Sequence, residues 1–280
     1  MSDYFLRAKL FKTKKRLGQN FLVDESVISR IVEEVSADDV VLEIGPGAGF
    51  VTENIVEKAK KVYAVELDED AIDALQHIKT EKFNLIHNDI LKVQLKDLAD
   101  VKFKVVANIP YYITSPILAH LLGEIDDLNN ENRARISEII LMVQWEVAQR
   151  LIANEKSPSK QYGLLSILTQ FNADVELIQK VGRRSFSPAP KVDSALVRIT
   201  LNDRPRVDVE DYTFLRKVVK ACFATRRKNL RNSLMNAGFN KDAVAQTMQS
   251  LSLDENTRGE TFSIQDFAKL SIELKKYMVK

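Results

Sequence analysis

Four residues, Asn108-Ile109-Pro110-Tyr111, are of types that can make a weakly nucleophilic amine react. The lone pair of an exocyclic adenine amine is delocalised into the ring, so methyl transfer to it needs the nitrogen drawn toward tetrahedral geometry. The Asn108 side-chain oxygen and the Ile109 backbone carbonyl can each accept one N–H, holding the lone pair toward an electrophile without a strong base. Tyr111 would stack on the base, with Pro110 in the turn between. Further upstream, Glu43-Ile44-Gly45-Pro46-Gly47-Ala48-Gly49 has glycines that let the backbone pass close under a nucleoside-sized ligand. Glu66, 23 residues after Glu43, can accept both hydroxyl hydrogens of a ribose. Asp89 can accept from an adenine amine, or it can cap a helix.

These groups need a scaffold that gathers them. Val40–Ile44, Lys61–Glu66, Phe83–His87 and Phe103–Ala107 read as strands, with a helix over Phe50–Lys58, and the alternation predicts βαβ units in a mainly parallel sheet. Ligands in such sheets sit beyond the carboxyl ends of the strands, so Glu66, Asp89 and Asn108 are expected on one rim. Asp126 to Arg135 reads as a surface loop. Pro188 and Pro190 make the 185–194 stretch a rigid extended loop entering a last strand, Ala195–Thr200. After a linker at 202–207 the pattern is helical only, over 211–223, 226–236, 240–250 and 263–278. The expectation is an α/β domain over 1–203 and a small all-helical domain over 207–280.

The chain has 280 residues, 45% of them hydrophobic and 29% charged, which excludes a fibre, a peptide hormone or a mainly disordered chain. Its longest apolar run, Ile139 to Val143, is far too short to span a bilayer, and no secretory signal follows the basic start. One cysteine, Cys222, and three dispersed histidines imply a reducing, cytoplasmic setting and no metal. The net charge of +2 hides two basic ends, since residues 1–23 carry six Lys/Arg against Asp3 and residues 201–280 carry 15 basic against 10 acidic residues. Basic clusters of this size suit phosphates. No coiled-coil heptad is present, which favours a monomer.

Several motifs together resemble the ribosomal RNA adenine N6,N6-dimethyltransferase family: Lys15 to Leu22 (KRLGQNFL), Glu43 to Gly49 (EIGPGAG), Val65 to Asp68 (VELD), Asn108 to Tyr111 (NIPY), Phe186 to Ser194 (FSPAPKVDS), Arg226 to Leu234 (RRKNLRNSL) and Arg258-Gly259-Glu260. The resemblance covers nearly the whole chain, in order. It implies a class I, Rossmann-like methyltransferase fold binding S-adenosylmethionine, a helical C-terminal domain that helps hold RNA, and the small ribosomal subunit as partner. Asn20 and Leu22 would touch the cofactor, Gly45 and Gly47 would underlie its methionine part, and Glu66 and Asp89 would hold its ribose and adenine. Asn108 would lie between cofactor and target amine, and Phe186 would stack on the target adenine opposite Tyr111. The expected phosphate contacts are Lys14, Lys15, Arg16, Arg183, Arg184 and Lys191, with Arg226, Arg227, Lys228 and Arg231 as one face at helical spacing.

Two positions depart from the family pattern. Gly182-Arg183-Arg184 follows Val181 where a proline is usual, and Trp145 follows Gln144 where lysine is common. The implied reaction is dimethylation of two adjacent adenosines near the 3′ end of small-subunit ribosomal RNA. Rivals are a large-subunit methylase of the erythromycin-resistance type and a non-catalytic assembly or transcription factor on the same fold. A nicotinamide dehydrogenase is disfavoured, because Gly-x-Gly-x-Gly is the wrong spacing and Pro46 removes an amide donor.

Overall fold

β-branched runs bounded by turn residues form the central sheet of the computed structural model, which describes residues 3–11, 13–14, 18–110, 113–158, 160–225 and 228–278. In chain order the strands are β1 (Phe21–Leu22), β2 (Val40–Ile44), β3 (Lys61–Glu66), β4 (Phe83–His87), β5 (Phe103–Asn108), β6 (Ile136–Gln144), β7 (Ala173–Val181), β8 (Phe186–Ser187) and β9 (Ser194–Leu201). The helices are α1 (Asp3–Leu10), α2 (Glu25–Glu33), α3 (Phe50–Lys58), α4 (Glu69–Leu75), α5 (Leu95–Leu98), α6 (Thr114–Leu122), α7 (Trp145–Ile152), α8 (Leu164–Asn172), α9 (Tyr212–Ala224), α10 (Leu230–Asn236), α11 (Lys241–Ser250) and α12 (Ile264–Met278).

Seven strands pair in the order β4-β3-β2-β5-β6-β9-β7. The first five run parallel, and β9 returns antiparallel to β6. β2 shows no inside–outside alternation, its last four residues all being buried, as expected of a parallel strand covered on both faces. β5 extends one residue past the expected end, so Asn108 itself terminates the strand. β7 was not expected. It has only two fully buried residues, at its ends, and a strand so polar carries no continuous apolar run to read. The proline-containing stretch also holds a two-residue strand, since β8 pairs antiparallel with β1 ahead of Pro188.

The chain divides into two compact units, but a single cut near residues 203–207 does not separate them. One unit comprises Met1–Leu122, Asn129–Ala148 and Val175–Leu201, and the other Gly123–Leu128, Gln149–Asp174 and Asn202–Lys280. Apolar burial explains the difference. Tyr162, Ile167 and Phe171 belong to the same buried cluster as Leu215, Val218 and Phe267, so the α8 segment is part of the helical unit. The Tyr162 hydroxyl donates to the Phe262 carbonyl at 2.8 Å, satisfying a buried donor.

Within that unit the motif glycine Gly259 has a packing role, because a Cβ there would lie 2.9 Å from the Cβ of Cys222. Residues 126–135 are also not a plain surface loop. Asn132 is buried, and its side-chain oxygen accepts from the Leu95 N–H at 2.9 Å. Among the described residues no helix is long and apolar enough to cross a membrane.

Candidate active site

The sheet order reverses at β2, whose two neighbours are β3 and β5, and a crevice opens at the carboxyl ends of strands at such a point. A cavity of about 1240 Å³, open mouth included, lies there. It is lined by Gly45, Gly47, Glu66, Asp89 and Asn108 from the rim and by Asn20 and Leu22 from the N-terminal segment. Seven residues spread over almost 90 positions of sequence thus line one cavity. Ile109 and Pro110 line it as well.

Glu66 is 8% exposed and serves as a hub. One carboxylate oxygen accepts the N–H groups of Leu67 and Asp68 at 2.8 and 2.9 Å, and the other accepts that of Gly47 at 3.0 Å. Gly47 can make that contact because its φ is +55°, and a Cβ there would strike the Phe21 ring at 2.8 Å. At Gly45, with φ +67°, a Cβ would meet nothing within 4 Å, so the backbone borders open space. Asp89 takes the capping role and also lies on the cavity lining. One oxygen caps the 3-10 turn Ile90–Lys92 by accepting from Leu91 N–H at 3.0 Å, and the residue lines the cavity.

Glu43 is a cavity-lining residue that the spacing argument did not single out. It is 3% exposed, and its Oε2 is buried without a hydrogen-bond partner among the described residues. Burial, with the Glu66 charge adding to it, pushes this carboxyl up to about 8. A buried carboxyl with one oxygen unpartnered can accept from a cationic ligand, whose charge would favour its ionised form, and S-adenosylmethionine carries an ammonium and a sulfonium. The residues present therefore fit that cofactor: an acid for its cationic end, glycines for close approach, and Glu66 and Asp89 for the nucleoside. The only sequence signal for Glu43 is that it opens the glycine motif at the end of a strand.

The N-terminal segment is tied across this cavity. Gln19 Nε2 donates to Asp68 Oδ2 at 2.6 Å, and the Lys14 ammonium pairs with the Asp68 carboxylate and, at 2.8 Å, with Asp70. Lys14 N–H donates to the Gln19 side chain at 2.7 Å. Lys14, expected on a phosphate, is thus held by two carboxylates of the protein itself. Asn108 Nδ2 donates to the Asn20 carbonyl at 3.4 Å, a long bond that leaves Oδ1 as the acceptor of the amide.

Phe186 is placed otherwise than expected. It is 2% exposed, stands opposite Leu22 in the β1–β8 pair and belongs to a core cluster with Phe21, Val181 and Leu196. The pairing with β1 draws the ring inward, so it backs the cavity wall through Leu22 and does not present a face to a base. Tyr111, Lys15, Arg16, Arg226 and Arg227 lie outside the described residues.

Of the remaining basic candidates, Arg183, Arg184, Lys191 and Lys228 are exposed, and Arg231 is half-buried with its Nε lacking a partner among the described residues. The helical spacing expected from 226 is corrected. α10 begins at Leu230, because the Asn229 side chain caps it by accepting from Asn232 N–H at 2.9 Å, and Lys228 precedes the helix. The Trp145 departure is met locally, with the Lys180 ammonium 5.0 Å from the centre of the indole.

Comparison with known proteins agrees with this geometry. The chain is 42% identical over 267 residues to the ribosomal RNA small subunit methyltransferase A of Clostridium botulinum (strain Kyoto / Type A2), covering 93% of this chain and 94% of that protein. It is 40% identical over 283 residues to the protein of the same name in Bacillus licheniformis, covering 96% and 94%. Among solved structures, a dimethyladenosine transferase from Plasmodium falciparum superposes with a TM-score of 0.73 at 24% identity, covering 92% of this chain and 98% of that one. The 23S rRNA methyltransferase ErmE gives 0.65 at 25%, covering 91% and 100%. The fold is a Rossmann-like class I methyltransferase with a helical C-terminal part. The profile of the family described as ribosomal RNA adenine dimethylase matches residues 10–276, and this chain belongs to that family.

Proposed function

We propose that the protein dimethylates N6 of two adjacent adenosines in the 3′-terminal hairpin of small-subunit ribosomal RNA, four transfers in all, during biogenesis of the small subunit. The observation that carries this reading is Asn108 ending β5 on the wall of the cavity that Glu66 and Asp89 also line. The small-subunit relatives, at 40–42% identity over nearly the whole chain, favour this reading over the large-subunit and non-catalytic ones.

S-adenosylmethionine is the cofactor and supplies an electrophilic methyl group. Asn20, Leu22, Gly45, Gly47, Glu66 and Asp89 would hold it, with Glu43 facing its cationic end. Asn108, anchored through Nδ2, would accept one N–H of the target amine at Oδ1, and the Ile109 carbonyl would accept the other. Two acceptors on one nitrogen draw it toward tetrahedral geometry, which takes its lone pair out of conjugation with the ring. The proton is lost after the nitrogen becomes cationic, so no strongly basic side chain is required. The Pro110 carbonyl accepts from Ile113 N–H at 3.1 Å. Exposed Arg183, Arg184, Lys191 and Lys228 suit phosphates of an RNA. A monomeric, cytoplasmic enzyme without membrane attachment completes the reading.

Transfer of tritiated methyl groups to unmethylated small subunits, with large-subunit RNA in parallel and mapping of the modified bases, tests it. Dimethyladenosine at the adjacent pair is the expected result. Label confined to large-subunit RNA would overturn the substrate, and cofactor binding without any label would overturn catalysis.

A further inference from the structure

Trp145 starts α7 where β6 ends, three residues past Met142, the register partner of Asn108 in the parallel β5–β6 pair. At about 3.3 Å per residue this sets it roughly 10 Å further along the same rim, on the neighbouring strand. It is partly exposed. Asp193 organises the surroundings. Its carbonyl accepts Trp145 N–H at 2.9 Å, one carboxylate oxygen accepts Arg183 N–H at 3.1 Å, and the other pairs with Lys180 at 3.4 Å. The Arg183 N–H bond is the largest cause that keeps the Asp193 carboxyl below the usual carboxylate range, so the hub stays ionised at neutral pH.

Lys180, with its ammonium 5.0 Å from the indole centre, remains half exposed, and Arg183, Arg184 and Lys191 are exposed nearby in sequence. A large aromatic ring left partly in water, fixed at its backbone, with the Lys180 ammonium beside it and Arg183 bound through its N–H to the same Asp193, is the pattern of a surface that stacks a base and pairs its phosphates. An apolar protein partner would not need the cations, and a simple phosphate site would not need the ring. The buried Phe186 cannot offer a comparable face.

We propose that Trp145, held by Asp193 and Lys180, is a stacking site for an unpaired base next to the target adenine, with Lys180 and Arg183 taking the flanking phosphates. This rests on the RNA reading above. A neighbouring nucleotide docked there would fix the register of the target and keep the loop open while its first adenine is in the site.

Trp145 is the single tryptophan of the chain, so its own emission reports the contact. The full chain is titrated with an RNA hairpin whose loop carries two adjacent adenosines, following tryptophan emission, and binding of the fluorescein-labelled hairpin is followed separately by anisotropy. Quenching that saturates with the anisotropy change supports stacking, as does loss of quenching when the flanking nucleotide is made abasic. Trp145→Ala is expected to weaken hairpin binding about tenfold, the size of one base–aromatic stack, while Trp145→Phe keeps most of the affinity. Anisotropic binding with unchanged emission, or Trp145→Ala binding as well as the parent, overturns the proposal and leaves the RNA reading standing. Absence of anisotropic binding in the parent chain overturns both.

Discussion

Asn108 can hold an amine in one orientation only if its own amide is held first, and the bond from Nδ2 to the Asn20 carbonyl does that. Asn108→Ala should lower methyl transfer by about 10²–10³-fold, as loss of a polar group acting on the reacting atoms does, while leaving RNA affinity within about twofold. Single-turnover transfer and anisotropy on the same samples check this, and an equal loss of both in a folded variant would contradict the assigned role. Glu43 makes a different prediction. Its folded carboxyl is raised from 4.5 to about 8 by burial, so between those values the native state keeps a proton that the unfolded chain has released. Stability then falls as pH rises through this window, by up to about 1.4 kcal/mol per unit, and the loss is complete above about 8. Glu43→Gln should remove that slope. Urea unfolding at pH 5.5, 6.5 and 7.5 should show the variant gaining on the parent step by step, and parallel curves would mean that Glu43 ionises without cost.

At the scale of elements, the N-terminal segment and the start of α4 act together. Asp68 caps α4 through Asp70 N–H while gripping Lys14 and Gln19, and its own N–H is bound to Glu66. The carboxylate that would hold the ribose and the one that fastens the segment are therefore two residues apart on one turn. Asp68→Asn and Lys14→Met should each raise the dissociation rate of S-adenosylhomocysteine about tenfold, and the double variant should be little worse than either, because both cut the same tie. Stopped-flow displacement measures this, and unchanged rates in both variants would show that the tie does not govern the cavity. The β1–β8 pair is the other element-scale device. It turns Phe186 inward and supports Leu22, a role legible only once two segments far apart in the chain are seen side by side.

For the whole molecule, the charge asymmetry read from composition is put to more than one use. Part of the basic N-terminus is neutralised internally, as Lys14 with Asp68 and Asp70 and Arg7 with Glu53 and Asp3 show, whereas Arg183, Arg184 and Lys191, outside the two basic ends, stand in solvent. Replacing those three by Gln should reduce the slope of log affinity against log salt by about 0.7–0.9 for each phosphate that is no longer neutralised. RNA binding measured from 50 to 200 mM salt tests this, and an unchanged slope would remove them from the interface. The division into units is a second whole-molecule property, and it does not follow the boundary expected from the linker at 202–207. The 149–174 segment looks like an extension of the α/β part until Tyr162, Ile167 and Phe171 are found in the helical core.

Strands β2, β3 and β5, the glycine turn, Glu66 and Asn108 were legible in the linear chain, because a parallel strand covered on both faces leaves an apolar, β-branched run and its end marks the rim. The same holds for helices α9, α11 and α12, whose apolar periodicity runs nearly their full length. Tertiary structure alone decided the pairing of Lys14 and Gln19 with Asp68, the burial of Phe186, the raised carboxyl of Glu43 and the setting of Trp145. Each depends on which distant group becomes a neighbour and on how much water is excluded, and neither quantity is carried by residue type or spacing.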